Sequence, residues 1–165
     1  MSDTTIALDL TWTELKDHVA TLAEGIRQDG IPQVVIGILR GGMVPAVLLA
    51  HRLGVRDVRG IEVTRTLTDE PNGAKTAQPQ VVNPASLGTF GTATDVLLVD
   101  DVAGSGETLA TAATLITGLA ARVRRAVVVV NTINWGRSNS KAPQQIQDYI
   151  GTTCVGWVRF PWEVR

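Results

Sequence analysis

Two adjacent acids, Asp100 and Asp101, stand directly before a run of mostly small residues, Val102-Ala103-Gly104-Ser105-Gly106-Glu107-Thr108. Carboxylates offer only acceptors, so they suit sugar hydroxyls or a Mg²⁺ ion that bridges to a phosphate. Gly104, Ser105 and Gly106 let backbone N–H groups turn toward one point, and Ser105 and Thr108 add hydroxyl donors. Residues 107–119 read as a helix, so unpaired N-terminal N–H groups and the helix dipole would face that same point. The combination suits a ligand carrying both a monophosphate and a hydroxylated sugar. No Gly-Lys-Ser/Thr follows the glycines, which excludes a Walker loop, and the G-x-G-x-x-G spacing of a dinucleotide fingerprint is absent.

The elements that must position these groups are legible on either side. Val96-Leu97-Leu98-Val99 is a short apolar run of the kind buried on both faces of a sheet. It places the acids at a strand's carboxyl end, where open α/β sheets bind ligands. Upstream, Thr11-Trp12-Thr13-Glu14 matches a capping box, and Leu15, Val19, Leu22 and Ile26 follow at helical spacing. These predict a helix over 12–28, closed by Gly30. Further strands are predicted at 34–38, 58–63, 96–100 and 126–131. A turn at Arg40-Gly41-Gly42 leads into a helix over 44–53, with Pro45 in its first turn. The alternation predicts an α/β fold: one domain over 1–165, with a mainly parallel twisted sheet and helices on both faces.

Residues 64–94 break the rhythm. They hold Pro71, Asn72, Gly73, Pro79, Pro84, Gly88 and Gly91 with little periodicity. So long a stretch in a compact domain is expected to act as a flexible lid, with Gln80-Val81-Val82 as a hairpin strand.

Composition narrows the class. The chain has 165 residues and a net charge of −1, with a pI near 6.1. It carries no lysine-arginine tract, so no nucleic-acid partner is expected. Cys154 is the only cysteine, which excludes an intramolecular disulfide and a cysteine-rich zinc site. No apolar stretch approaches the roughly 20 residues of a membrane helix, and residues 1–8 do not read as a signal peptide. A cytoplasmic protein without a membrane partner is the expectation.

Three segments resemble type I phosphoribosyltransferases. Val96-Leu97-Leu98-Val99-Asp100-Asp101-Val102-Ala103-Gly104-Ser105-Gly106-Glu107-Thr108-Leu109 is similar to that family's signature for 5-phosphoribosyl pyrophosphate (PRPP). Leu39-Arg40-Gly41-Gly42-Met43-Val44-Pro45-Ala46 resembles its pyrophosphate loop, in the Arg-Gly-Gly-x-Val-Pro form of the bacterial xanthine-guanine subgroup. Gly156-Trp157-Val158-Arg159-Phe160-Pro161-Trp162-Glu163 resembles the base-binding tail of that subgroup, within residues 152–165.

The resemblance implies the type I fold and a reaction in which a ring nitrogen of a purine-like base displaces pyrophosphate from the anomeric carbon of PRPP. It implies catalytic roles for Arg40, Asp100 and Asp101, with Asp101 also at the Mg²⁺ cofactor. Leu39, Gly41 and Gly42 would line the pyrophosphate, with a cis peptide at Leu39–Arg40. Ala103, Gly104, Ser105, Gly106, Glu107 and Thr108 would hold the 5′-phosphate, Glu107 through its backbone N–H with its side chain turned away. Trp157 would stack on the base, and Val158 would offer it backbone groups. The family also implies a lid over 64–94, from which Arg65 or Lys75 could reach pyrophosphate, and a homodimer or homotetramer. Trp135 could line the base pocket or a subunit contact. Trp162, His18, His51 and Cys154 read as structural residues.

Two departures bear on the base. In 6-oxopurine enzymes the position of Gly104 usually carries an Asp that serves the purine N7, and a Lys after the next strand reads the 6-oxo group. Here Gly104 has no side chain, and Asn131-Thr132-Ile133-Asn134-Trp135 contains no lysine. An Asn amide is the nearest substitute. Modified purines, deazapurines and other heterocycles stay open as acceptors. A PRPP-binding regulator with little turnover is the alternative to an enzyme; a phosphatase or kinase fits poorly, for want of a P-loop lysine or a nucleophile–base pair.

Overall fold

The computed structural model describes residues 5–66, 75–120 and 122–163. In chain order the elements are β1 (Ile6–Asp9), α1 (Trp12–Gln28), β2 (Val34–Leu39), α2 (Met43–Leu53), β3 (Asp57–Thr66) and β4 (Lys75–Val81). A 3₁₀ turn (Pro84–Leu87) leads to β5 (Asp95–Ala103), α3 (Glu107–Thr117), β6 (Arg122–Asn131) and α4 (Thr132–Ser138). A second 3₁₀ turn (Pro143–Gln145), β7 (Tyr149–Cys154) and β8 (Trp157–Arg159) follow.

Six strands form one sheet in the order β4-β3-β2-β5-β6-β7. All neighbours are parallel except β3 and β4. The side-chain period of 2 sorts the strand residues to two faces. Val35, Leu97, Val99 and Val128 pack under α1 and α2 with Leu15, Leu22, Ile26 and Leu49. Ile36, Ile38, Leu98 and Val127 pack under α3 with Leu109, Ile116 and Trp135. The mainly parallel α/β fold is therefore as the sequence predicts.

Chain order reverses between β2 and β5. From β2 the chain crosses to β3 on one side, and later strands are laid down from β5 on the other. This is the topological switch point at which open α/β sheets bind ligands. The register pairs Gly37 with Val99, so the turn after Leu39 and the acid pair lie side by side at the carboxyl ends.

Helix α1 has the expected bounds, with Thr11 and Glu14 forming the capping box. Strand β5 runs past its predicted end at residue 100, because Val102 and Ala103 continue the ladder with Val129 and Val130 of β6. The acids thus sit within the strand's last turn of pleat and not beyond it. Much of the irregular stretch is also ordered: β4 pairs antiparallel with β3, and Leu87 is buried in the core. Residues 67–74 lie outside the described residues, as do the side chains of Arg65 and Lys75.

The sequence reading passed over β1, β7, β8 and α4. Strands β1 and β8 form a separate parallel pair. The Arg159 guanidinium bonds the Asp9 carboxylate across it, one contact at 3.0 Å, and the Leu10 N–H donates to the Arg159 carbonyl at 2.9 Å. The tail is therefore anchored by the first described strand.

Candidate functional site

The turn after β2 is built as the opening of α2. The N–H groups of Met43, Val44 and Ala46 donate to the carbonyls of Arg40, Gly41 and Gly42 at 3.2, 3.2 and 3.1 Å. The N–H groups of Gly41 and Gly42 have no acceptor among the described residues; Gly41 is partly exposed and Gly42 is buried. The Leu39–Arg40 peptide is cis, as the resemblance implies. Arg40 is exposed beside this turn.

Space, and not backbone conformation, selects glycine here. A β-carbon on Gly41 would lie 1.9 Å from Asp101 Oδ2. One on Gly42 would lie 2.6 Å from the Ile38 carbonyl and 2.8 Å from that of Val99. The two expected ligand loops are thus in van der Waals contact across β2 and β5.

The acids differ in setting. Asp100 is only 8% exposed. Burial, with the Asp101 charge beside it, pushes the Asp100 carboxyl well above the usual carboxylate range. Asp101 is raised as well, mainly by burial and further by the charge of Glu163. Their oxygens are oriented by the chain itself: Asp100 Oδ1 accepts from the Asp101 N–H at 3.0 Å, and Asp101 Oδ1 from the Val102 N–H at 2.8 Å.

Hard oxygen donors that burial and repulsion leave short of positive charge fit Mg²⁺. Among the described residues no group of three His, Cys, Asp or Glu could hold a metal.

Beyond β5 the chain turns through Gly104, Ser105 and Gly106 into α3. Gly106 takes the left-handed conformation, φ 78°, and offers no side chain to cap the helix. A β-carbon there would lie 2.6 Å from the Trp135 ring. Glu107 departs from expectation: its Oε2 accepts from the Ser105 hydroxyl at 3.3 Å, and Ser105 Oγ accepts from the Glu107 N–H at 3.3 Å. The carboxylate therefore reaches back to Ser105.

A cleft opens beside the acids, lined by Asp101, Gly104, Asn134, Trp157, Val158 and Glu163 among others. Trp157 is 44% exposed, a large apolar face left partly open at the cleft. Gly104 has ordinary φ and open space: the nearest contacts of a β-carbon there are Asn134 Cβ and Nδ2, both at 3.7 Å. A larger groove of about 430 Å³, lined by residues including Val47, His51 and Arg56, contains none of the expected site residues.

Several positioning residues were not singled out as such from the sequence. Asn131 donates to the Gly156 carbonyl at 2.7 Å and accepts from the Asn134 N–H at 3.3 Å, so it fixes the turn before Trp157 and caps α4. Asn131 and Asn134 both line the cleft, and Asn134 is the more exposed of the two. An Asn before a helical stretch is a recognisable N-cap signal. Asn139 donates to the Ser105 carbonyl at 2.7 Å, which no local pattern announces. Trp135 is buried, with its indole N–H on the Lys141 carbonyl at 2.9 Å; it underlies the loop and does not line the cleft. Trp162 stacks on Phe160 with ring centroids 4.6 Å apart, and Cys154 is a buried free thiol.

The profile of the phosphoribosyl transferase domain family matches residues 11–165. The chain is 28% identical over 160 residues to the xanthine-guanine phosphoribosyltransferase of Ruegeria sp. (strain TM1040), covering 94% of this chain and 84% of that one. Among solved structures it is similar to the purine phosphoribosyltransferase from Pyrococcus horikoshii Ot3, with a TM-score of 0.72, 28% identity and coverage of 96% and 94%. It shares its fold with a Neisseria gonorrhoeae protein solved with bound ppGpp, at a TM-score of 0.76, 23% identity and coverage of 97% and 92%.

Proposed function

Since this chain belongs to the phosphoribosyl transferase family, we infer that it moves the 5-phosphoribosyl group of PRPP to a ring nitrogen of a purine-like base, releasing pyrophosphate. The observation that carries this reading is the contact between the Gly41–Gly42 turn and Asp101, beside a cleft edged by Trp157. Leaving group, sugar and base each have a matching surface, in the order in which PRPP and an acceptor present them.

The N–H groups of Gly41 and Gly42, with Arg40 beside them, take the pyrophosphate; Leu39 leads into that turn. The loop from Ala103 to Thr108 and the start of α3 take the 5′-phosphate. Asp100 and Asp101 accept from the ribose hydroxyls and steady the ring as positive charge develops at the anomeric carbon. Trp157 holds the base flat, and Val158 meets its edge. Together these groups hold nucleophile and anomeric carbon in line, which is where an enzyme of this kind gains most. Asp101 would hold Mg²⁺, which when bound offsets and orients the pyrophosphate charge. Residues 64–94, which include β4, serve as the lid.

Family likeness extends the proposal to a cytoplasmic homodimer or homotetramer, and light scattering distinguishes the two assemblies. No described helix is long and apolar enough to cross a membrane.

The deciding experiment supplies PRPP and Mg²⁺ with a panel of purines and modified purines and measures pyrophosphate release. Release with one base identifies the acceptor. PRPP binding without release for any base would show a regulator of the same fold instead.

A further inference from the structure

Gln147 is 2% exposed, and neither its amide nitrogen nor its amide oxygen has a hydrogen-bond partner among the described residues. It is the only buried side chain among them left in this state. A buried amide gives up its hydrogen bonds to water, so an unpaired one is costly and rare in a folded core. Methionine or leucine would fill the same space without that cost.

Its surroundings point to what it serves. A β-carbon on Gly106 would lie 3.6 Å from Gln147 Nε2, the nearest side-chain polar atom to that point. The amide therefore lies next to Gly106, within the loop from Ala103 to Thr108. The segment carrying it already grips the loop: Asn139 donates to the Ser105 carbonyl at 2.7 Å, and Trp135 packs under Gly106. When successive loop N–H groups point at an anion, the carbonyls between them turn inward and need donors. The Ser105 carbonyl has Asn139, and that of Gly106 has the Ala110 N–H at 3.0 Å. The Gly104 carbonyl has no donor among the described residues.

We propose that Gln147 is a positioning residue for the anion loop, its buried amide donating to an inward-turned loop carbonyl, that of Gly104, when the 5′-phosphate is bound. The inference rests on reading Ala103 to Thr108 as the 5′-phosphate loop. Paired with that carbonyl, the amide favours the loop conformation that holds phosphate, and a mutation there acts on donor affinity without touching substrate.

The test uses the full chain and its Gln147→Met variant, with PRPP plus Mg²⁺ and inorganic phosphate as separate probes. Without ligand the variant should melt at the wild-type temperature or roughly 2–4 °C above it, because an unpaired amide has been removed. Its KM for PRPP should rise about 5- to 10-fold with kcat changed less than 2-fold, and its affinity for phosphate should fall by a similar factor. The KM for the base should not move. Gln147→Glu keeps the shape without the donor and places a carboxyl behind the anion; it should weaken PRPP at least as much, and it serves if the Met variant does not fold. Unchanged PRPP and phosphate affinities in either folded variant overturn this inference alone. Failure of the wild-type chain to bind either probe overturns the phosphate-loop reading and this inference with it.

Discussion

Asp101 Oδ2 occupies the space that a β-carbon on Gly41 would need, 1.9 Å away. The carboxylate and the turn were each recognisable as ligand-binding elements, but their interlock means that neither can be altered by itself. Gly41→Ala must push the Asp101 side chain off or displace the turn. Overpacking of this kind costs about 1–3 kcal/mol. We expect a lower urea midpoint and a loss of pyrophosphate release of about 100-fold or more, since misplacement by about 1 Å at a reacting centre has that effect.

Gly104 is the opposite case. A side chain there meets only ordinary contacts, so Gly104→Asp should change stability by no more than about 0.5 kcal/mol. The new carboxyl would project beside Asn134 at the base cleft. With hypoxanthine or guanine as acceptor, kcat/KM is expected to rise about 10-fold or more, within the range of general acid–base effects. A stable variant with an unchanged base profile would remove Gly104 from the determinants of base choice.

Asp100 sets function against stability. Its carboxyl titrates higher in the folded chain than in the unfolded one, so between those two points the folded state binds more protons. Stability from this group therefore falls as pH rises through that window. Asp100→Asn should remove the fall and stabilise the ligand-free chain at pH 8 by on the order of 1 kcal/mol, while turnover drops. Paired melting curves at pH 5 and pH 8 check the sign: the gain should be larger at pH 8.

Trp157 should report on the base alone. Because it is 44% exposed, Trp157→Ala should cost little stability. Stacking of a base on an aromatic ring is worth about 1–3 kcal/mol, so the KM for the base is expected to rise about 5- to 100-fold with the KM for PRPP nearly constant.

At the opposite end of the strands, Arg124 bonds Asp95 at 2.7 Å, the Gly30 carbonyl at 2.9 Å and the Tyr149 hydroxyl at 3.0 Å. The Tyr149 hydroxyl donates in turn to Asp29 at 2.7 Å. This buried network ties α1 to β5, β6 and β7. Arg124→Met removes the main partner of Asp95, which keeps Arg122 at 3.6 Å, and should cost about 1–3 kcal/mol in urea unfolding, with KM values unchanged in the fraction that remains folded.

The sequence was most legible where local physics is strong. The Thr11 capping box, the apolar run of β5 and the Arg40-Gly41-Gly42 turn each carry their own signal, and each lies where it was expected. What escaped depends on distant partners. β8 has three residues and exists because β1 pairs with it. Helix α4 is seven residues long and held by the Asn131 cap and by Trp135 in the core. The loop supports Asn139 and Gln147 act across 34 or more residues of chain, beyond any window of periodicity. The contact of Glu107 with Ser105 is local, at 3.3 Å, but a pattern of residue types does not give the direction of a side chain.

The clasp between Asp9 and Arg159, made by residues 150 positions apart, sets an order of assembly. A chain synthesised from its amino end has made both proposed anion loops by Thr108, but Trp135 and Asn139, which support the second, follow later. The wall that receives the base is the last described part to be made, and it is fastened by the first. Until residues 157–159 pair with β1, the proposed base cleft lacks the wall that Trp157 and Val158 supply.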